Sequence, residues 1–71
     1  MDVLDLGCGT GTLALMIAQA CPQAKVYGVD IDPRILEIAR AKFERAEAAI
    51  ELRQGSATEP PFAPASFDRV V

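Results

Sequence analysis

The sequence contains no histidine, and its two cysteines, Cys8 and Cys21, do not form a CxxC pair. Without an imidazole there is no Ser-His or Cys-His couple for nucleophilic catalysis, and no cluster has metal-ligand spacing. Two cysteines with no secretory features suit a reduced, cytoplasmic setting. The seven basic residues are scattered singly within a net charge of −3. No basic stripe therefore marks a nucleic-acid footprint in this segment. The longest apolar run, residues 13–18, is far short of the ~20 residues that span a bilayer, so no membrane partner is expected. Internal repeats and low-complexity tracts are absent. At 71 residues the chain is at most one small domain, and an unstapled core of this size rarely supplies more than ~3–5 kcal/mol. It opens directly on a strand and closes on Val70-Val71 within another, so residues 1–71 are expected to be one piece of a larger domain.

What is present is organised around Val3-Leu4-Asp5-Leu6-Gly7-Cys8-Gly9-Thr10-Gly11-Thr12-Leu13. Residues 3–6 have strand length and read as buried on both faces. Gly7, Gly9 and Gly11 then supply a tight turn in which the backbone can take positive φ and approach a ligand closely. The turn delivers the chain to a helix expected from about Thr10 to Ala20. The unpaired N–H groups at its start suit anionic or carbonyl oxygens. Strand, glycine turn and helix form the opening unit of a nucleotide-binding α/β sheet. The dinucleotide fingerprint is G-x-G-x-x-G; here the third glycine comes one residue early, and Asp5 is foreign to that fingerprint.

The first helix is apolar nearly all round (Leu13, Ala14, Leu15, Met16, Ile17, Ala18), a pattern of helices covered on more than one side. Pro22 stops it. Lys25-Val26-Tyr27-Gly28-Val29-Asp30 is the second strand, and it also ends in an acid. Asp30 lies 30 − 11 = 19 residues beyond Gly11, close to the ~20-residue offset at which an acid meets ribose hydroxyls. A right-handed crossover sets this strand beside the first, with both carboxyl ends on one crevice. Asp32 at N-cap and Pro33 at N1 start the second helix. Ile35, Leu36, Ala39, Phe43 and Ala46 share its inner face. Arg34, Glu37, Arg40, Glu44 and Glu47 lie on the solvated side and are surface charges. Ile50-Glu51-Leu52-Arg53-Gln54 alternates as an edge strand with one wetter face. A proline-punctuated loop leads to Phe67-Asp68-Arg69-Val70-Val71, the opening of a fourth strand, with Asp68 structural at its amino end.

Asp5-Leu6-Gly7-Cys8-Gly9-Thr10-Gly11 closely resembles motif I of the class I S-adenosylmethionine-dependent methyltransferases. Val29-Asp30-Ile31-Asp32-Pro33 resembles motif II of the same family, and Pro61-Phe62 through Ser66-Phe67-Asp68 and Val70-Val71 resembles its link into strand four. The resemblance covers the chain from end to end. It implies an α/β, Rossmann-like open parallel sheet with flanking helices, in strand order 3-2-1-4 and truncated at strand four. It implies S-adenosyl-L-methionine as cofactor, with the turn around Gly7, Cys8, Gly9 and Gly11 wrapping its methionyl end. By the same resemblance Asp5 lies under the methionyl ammonium, Ile31 packs on the adenine, and Ser56 and Ala57 stand where an acid commonly receives the adenine amino group. Ser56 departs from that acid. A hydroxyl still accepts but without charge assistance, a difference on the order of 1 kcal/mol.

Asp5 has a second reading, as a brace that accepts N–H bonds from Gly7 or Gly9. Cys8 stands near a helix N-terminus, which lowers thiol pKa, but it reads as a small side chain accommodated by the turn. Methyl transfer from a sulfonium needs mainly positioning of two partners. Acceptor-touching and catalytic residues are expected after Val71, beyond the strand-order reversal between strands one and four. Two other functions share parts of this pattern. A nicotinamide oxidoreductase unit would need glycine at Thr12, and a non-catalytic nucleoside-binding module would need nothing more.

Overall fold

A computed structural model describes residues 1–56, 58–61 and 66–71. The elements run β1 (Asp2–Leu6), α1 (Thr12–Ala20), β2 (Lys25–Asp30), α2 (Pro33–Arg45), β3 (Ile50–Gln54) and β4 (Arg69–Val70). The strands form one parallel sheet in the order β3-β2-β1-β4, as the sequence implies. Leu6 pairs with Val29 and Asp30 with Gln54, so the carboxyl ends of β1, β2 and β3 finish along one edge.

Both helices pack on one face of the sheet. Ala14 of α1 and Ala39 and Phe43 of α2 are buried against Val26, with Leu15, Ile17, Ile50 and Leu52 packed around them. Leu4, Tyr27 and Val29 alternate with the inward set and turn to the opposite face. Leu4 and Val29 are fully buried there, and the Phe67 ring meets Tyr27 edge-on at 5.0 Å. At the amino end, the Asp2 N–H donates to Asp68 Oδ2 at 2.7 Å, and the Asp68 N–H donates to the Asp2 carbonyl at 2.9 Å. This reciprocal pair registers β4 on β1 and gives Asp68 its structural role.

Three boundaries differ from the sequence reading. Helix α1 starts at Thr12, not near Thr10, because Gly9 and Gly11 hold φ of +58° and +85°. A right-handed helix cannot include them. Only Ala14 of α1 is fully buried, while Leu13 and Met16 are exposed. Ala46 is exposed at the C-cap of α2 and not on its inner face. The helix ends there in a Schellman motif: Ala48 N–H donates to the Phe43 carbonyl and Glu47 N–H to the Glu44 carbonyl. Such motifs favour glycine in the left-handed position; here Glu47 takes it, with φ +55°. The expected strand opening at Phe67 shortens to Arg69–Val70, although Leu6 N–H to the Val71 carbonyl extends the pairing. Of the proline-punctuated loop, residues 62–65 lie outside the described residues.

Gly11 is where turn and helix layer meet. A Cβ on it would collide with the Phe43 ring, 2.6 Å from Cε1, and sit 3.3 Å from Ala39 Cβ. Gly11→Ala therefore combines a left-handed L-residue, costing ~1–2 kcal/mol, with overpacking of ~1–3 kcal/mol. Urea titration of the full-length protein should show a loss of about 2–5 kcal/mol. Adding Phe43→Leu should recover part of it, because the smaller side chain removes the clash but not the backbone strain.

Candidate functional site

The residues singled out from the sequence gather at the carboxyl edge of the sheet. Asp5 is the penultimate residue of β1, Gly7 to Gly11 form the turn above it, and Asp30 closes β2. The turn is fastened to β2 at two points: Cys8 N–H donates to the Val29 carbonyl at 2.9 Å, and Gly9 N–H donates to Asp30 Oδ2 at 3.0 Å. The other oxygen of Asp30 receives the Asp32 N–H at 3.0 Å, fixing the approach to α2. The loop after β3 joins the same edge, with Gly55 N–H on the Asp30 carbonyl at 3.0 Å.

The brace of the turn is thus Asp30. No hydrogen bond from Gly7 or Gly9 to Asp5 is present among the described residues. Asp5 is only 5% exposed, and its Oδ2 has no hydrogen-bond partner. Burial without compensation pushes its carboxyl above the ordinary value of 3.8. A partnerless buried oxygen costs free energy. The turn above is open, since a Cβ on Gly7 or Gly9 would meet nothing within 4 Å. The start of α1 has no side-chain cap and no acidic residue in its first turn. Its leading N–H groups lack that competition.

Cys8 contributes through its backbone. Its side chain is buried, and Sγ would come within 3.0 Å of a Cβ on Gly28. Gly28 has no room for a side chain because Leu52 Cδ2, at 2.9 Å from that Cβ position, and Cys8 both close over it. Burial first, then the charges of Asp5 and Asp30, push the thiol up to about 11. The helix-terminus activation that would make it a nucleophile is outweighed.

Ile31 is 68% exposed beside the same edge, and its carbonyl accepts from Gln54 Nε2 at 3.2 Å. Gln54 was not anticipated from the sequence, and only its place at a strand end hints at it. Ser56 is already engaged: its Oγ accepts the Thr58 N–H at 3.1 Å and lies 2.8 Å from Thr58 Oγ1. Ala57 lies outside the described residues. The geometry therefore brings together Asp5, the glycine turn, Asp30 and Ile31, and turns the Ser56 hydroxyl to its own loop.

The Asp5 carboxyl yields a stability test. Its folded-state pKa lies above the unfolded one, so the folded chain holds more protons between the two values. The associated stability is fully present below 3.8 and is lost as pH rises through the folded value. At neutral pH the ligand-free protein carries this penalty. Asp5→Asn in the full-length protein should raise the melting temperature by a few degrees at pH 7, with the gain vanishing toward pH 3–4. A lowered melting temperature at pH 7 would mean that the Asp5 charge braces the turn after all.

The family model for the Methyltransferase domain matches residues 3–71. Demethylmenaquinone methyltransferase of Lactococcus lactis is 43% identical over 72 residues, covering 99% of this chain and 29% of that protein. Release factor glutamine methyltransferase of Koribacter versatilis is 45% identical over 62 residues, covering 83% of this chain and 22% of that protein. Among solved structures, PKMT2 from Rickettsia typhi in complex with AdoHcy superposes with a TM-score of 0.83 at 28% identity. That match covers 97% of this chain and 14% of that one. The chain spans less than a third of the length of the curated relatives it matches. The parallel sheet, the glycine turn fastened to Asp30 and the match over residues 3–71 together identify the chain as a member of the methyltransferase domain family.

Proposed function

We propose that residues 1–71 are the N-terminal, cofactor-binding part of an S-adenosyl-L-methionine-dependent methyltransferase domain. One observation carries the reading: Asp5 Oδ2 is buried without a partner beneath a glycine turn whose outer side is open. A carboxylate there suits the methionyl ammonium of this cofactor. Beside the pyrophosphate of a nicotinamide dinucleotide it would repel. The AdoHcy complex of the Rickettsia typhi protein supports the same assignment.

The roles follow from placement. Asp5 would receive the ammonium, and the backbone of Gly7, Cys8, Gly9 and Gly11 would line the methionyl end. Asp30 has one carboxylate oxygen on Gly9 and the other on Asp32. Each keeps a free acceptor site, since a carboxylate offers about four, so Asp30 can hold the turn and still accept from a ribose diol. Ile31 offers its exposed side chain to the adenine face, with Ser56 at the adenine rim. Because the Ser56 hydroxyl is engaged with Thr58, the backbone there is the better candidate for reading the base. When bound, the cofactor supplies a methyl group on an already activated sulfonium leaving group.

The acceptor is read elsewhere. The segment is shared by relatives named for demethylmenaquinone and for a release-factor glutamine, so it carries what those enzymes have in common. Residues that touch the acceptor are proposed to follow Val71. No helix among the described residues is long and apolar enough to cross a membrane. With both cysteines free, a cytoplasmic location is proposed.

Calorimetry on the full-length protein tests the reading. S-adenosylhomocysteine should bind and NAD should not. Asp5→Asn should weaken binding about tenfold, or ~1.4 kcal/mol. Asp30→Ala should cost about 1.5–3 kcal/mol, since it removes both a charged acceptor and the fastening of Gly9. Binding of NAD in place of S-adenosylhomocysteine, or an Asp5→Asn protein of unchanged affinity, would overturn the proposal. Binding without methyl transfer to any acceptor panel would reduce it to a nucleoside-binding module.

A further inference from the structure

Lys42, on α2, reaches across to the glycine turn. Its ammonium donates to Thr12 Oγ1 at 3.0 Å and to Thr10 Oγ1 at 3.4 Å. These threonines flank Gly11. The adjacent residue, Phe43, lays its ring where a Gly11 side chain would stand. Consecutive residues of α2 therefore grip the same short stretch, one by packing and one by charge-assisted hydrogen bonds.

The placement runs against ordinary helix electrostatics. A cation is favoured at a helix C-terminus and unfavourable at an N-terminus, by ~0.3–1 kcal/mol at exposed sites. The first turn of α1 has no acidic residue to offset it. Among the described residues Lys42 makes no ion pair, while Arg34 and Arg53 both do. The ammonium of a partly exposed lysine, committed to two neutral hydroxyls at the wrong end of a helix, is poorly explained by stability alone. What it does achieve is geometric. With Asp30 holding Gly9 from one side and Lys42 holding Thr10 and Thr12 from the other, the turn is fixed on both flanks of its left-handed residues.

We infer that Lys42 is a positioning residue for the glycine turn, keeping its open side in the shape that receives the cofactor. The inference rests on the proposed cofactor reading for its functional consequence, but not for its effect on the turn itself. It is testable in the full-length protein with Lys42→Met, Lys42→Arg and the pair Thr10→Val with Thr12→Val. Lys42→Met should weaken S-adenosylhomocysteine binding about fivefold, or about 1 kcal/mol, with little change in melting temperature. Lys42→Arg should restore most of the loss. Combining Lys42→Met with the threonine pair should weaken binding no further than either alone, the non-additivity expected of partners in one network. In the ligand-free protein, amide hydrogen exchange over residues 9–13 should quicken in Lys42→Met. Unchanged affinity and exchange would overturn the inference, as would strictly additive losses, or an affinity loss that only parallels a fall in melting temperature. Should the wild type fail to bind S-adenosylhomocysteine, the cofactor reading fails, and the exchange measurement still decides the role of Lys42.

Discussion

The carboxylate of Asp30 is the tie on which the functional edge depends. One oxygen holds Gly9 in the turn after β1, and the other holds Asp32 at the entrance to α2. The carbonyls of Val29 and Asp30 take N–H groups from Cys8 and Gly55. Two residues at the end of β2 thus collect the chain leaving β1, the chain entering α2 and the chain leaving β3. Parallel strands make this possible, because every carboxyl end finishes on the same side of the sheet.

Small residues let the layers close around that tie. Gly28 leaves the space that Cys8 and Leu52 fill, and Gly11 leaves the space for the Phe43 ring. In each pair a missing side chain on one element is matched by a present one on another. The thiol of Cys8 acts as filling, its basicity raised by burial and by two nearby carboxylates. Close packing of this kind tolerates little added volume, so the turn is constrained from beneath while its upper side stays open.

Among the described residues, Asp5 is the one whose buried side-chain polar atom goes unpaired. Its buried oxygen lacks a partner, and its carboxyl is held above its usual range. Sites that give up stability in the free protein are commonly those that gain it on binding. The unfavourable placement of Lys42 beside the start of α1 fits the same pattern. Both departures border one turn of backbone.

Local chemistry made much of the fold legible in the sequence. The apolar β-branched run Lys25–Asp30 and the alternating run Ile50–Gln54 are the strands they appear to be. Asp32-Pro33 caps α2 as its residue types require, with the Asp32 side chain accepting from Arg34 N–H. Right-handed crossovers set β2 beside β1, and the resemblance to the methyltransferase family supplied the order 3-2-1-4. The glycine spacing and the acids at both strand ends marked the edge where the candidate site lies. What the sequence by itself could not determine is which atoms meet. That Gly9 bonds to Asp30 and not Asp5, that Cys8 packs over Gly28 with its thiol pKa pushed up, and that Lys42 reaches Thr10 and Thr12 were decided by tertiary structure. Periodicity and capping depend on residues a few positions apart, and are written locally. Hydrogen-bond partners, burial and basicity depend on atoms brought together from 20 or more positions away, as Gly9 and Asp30 are, and exist only once the chain has folded.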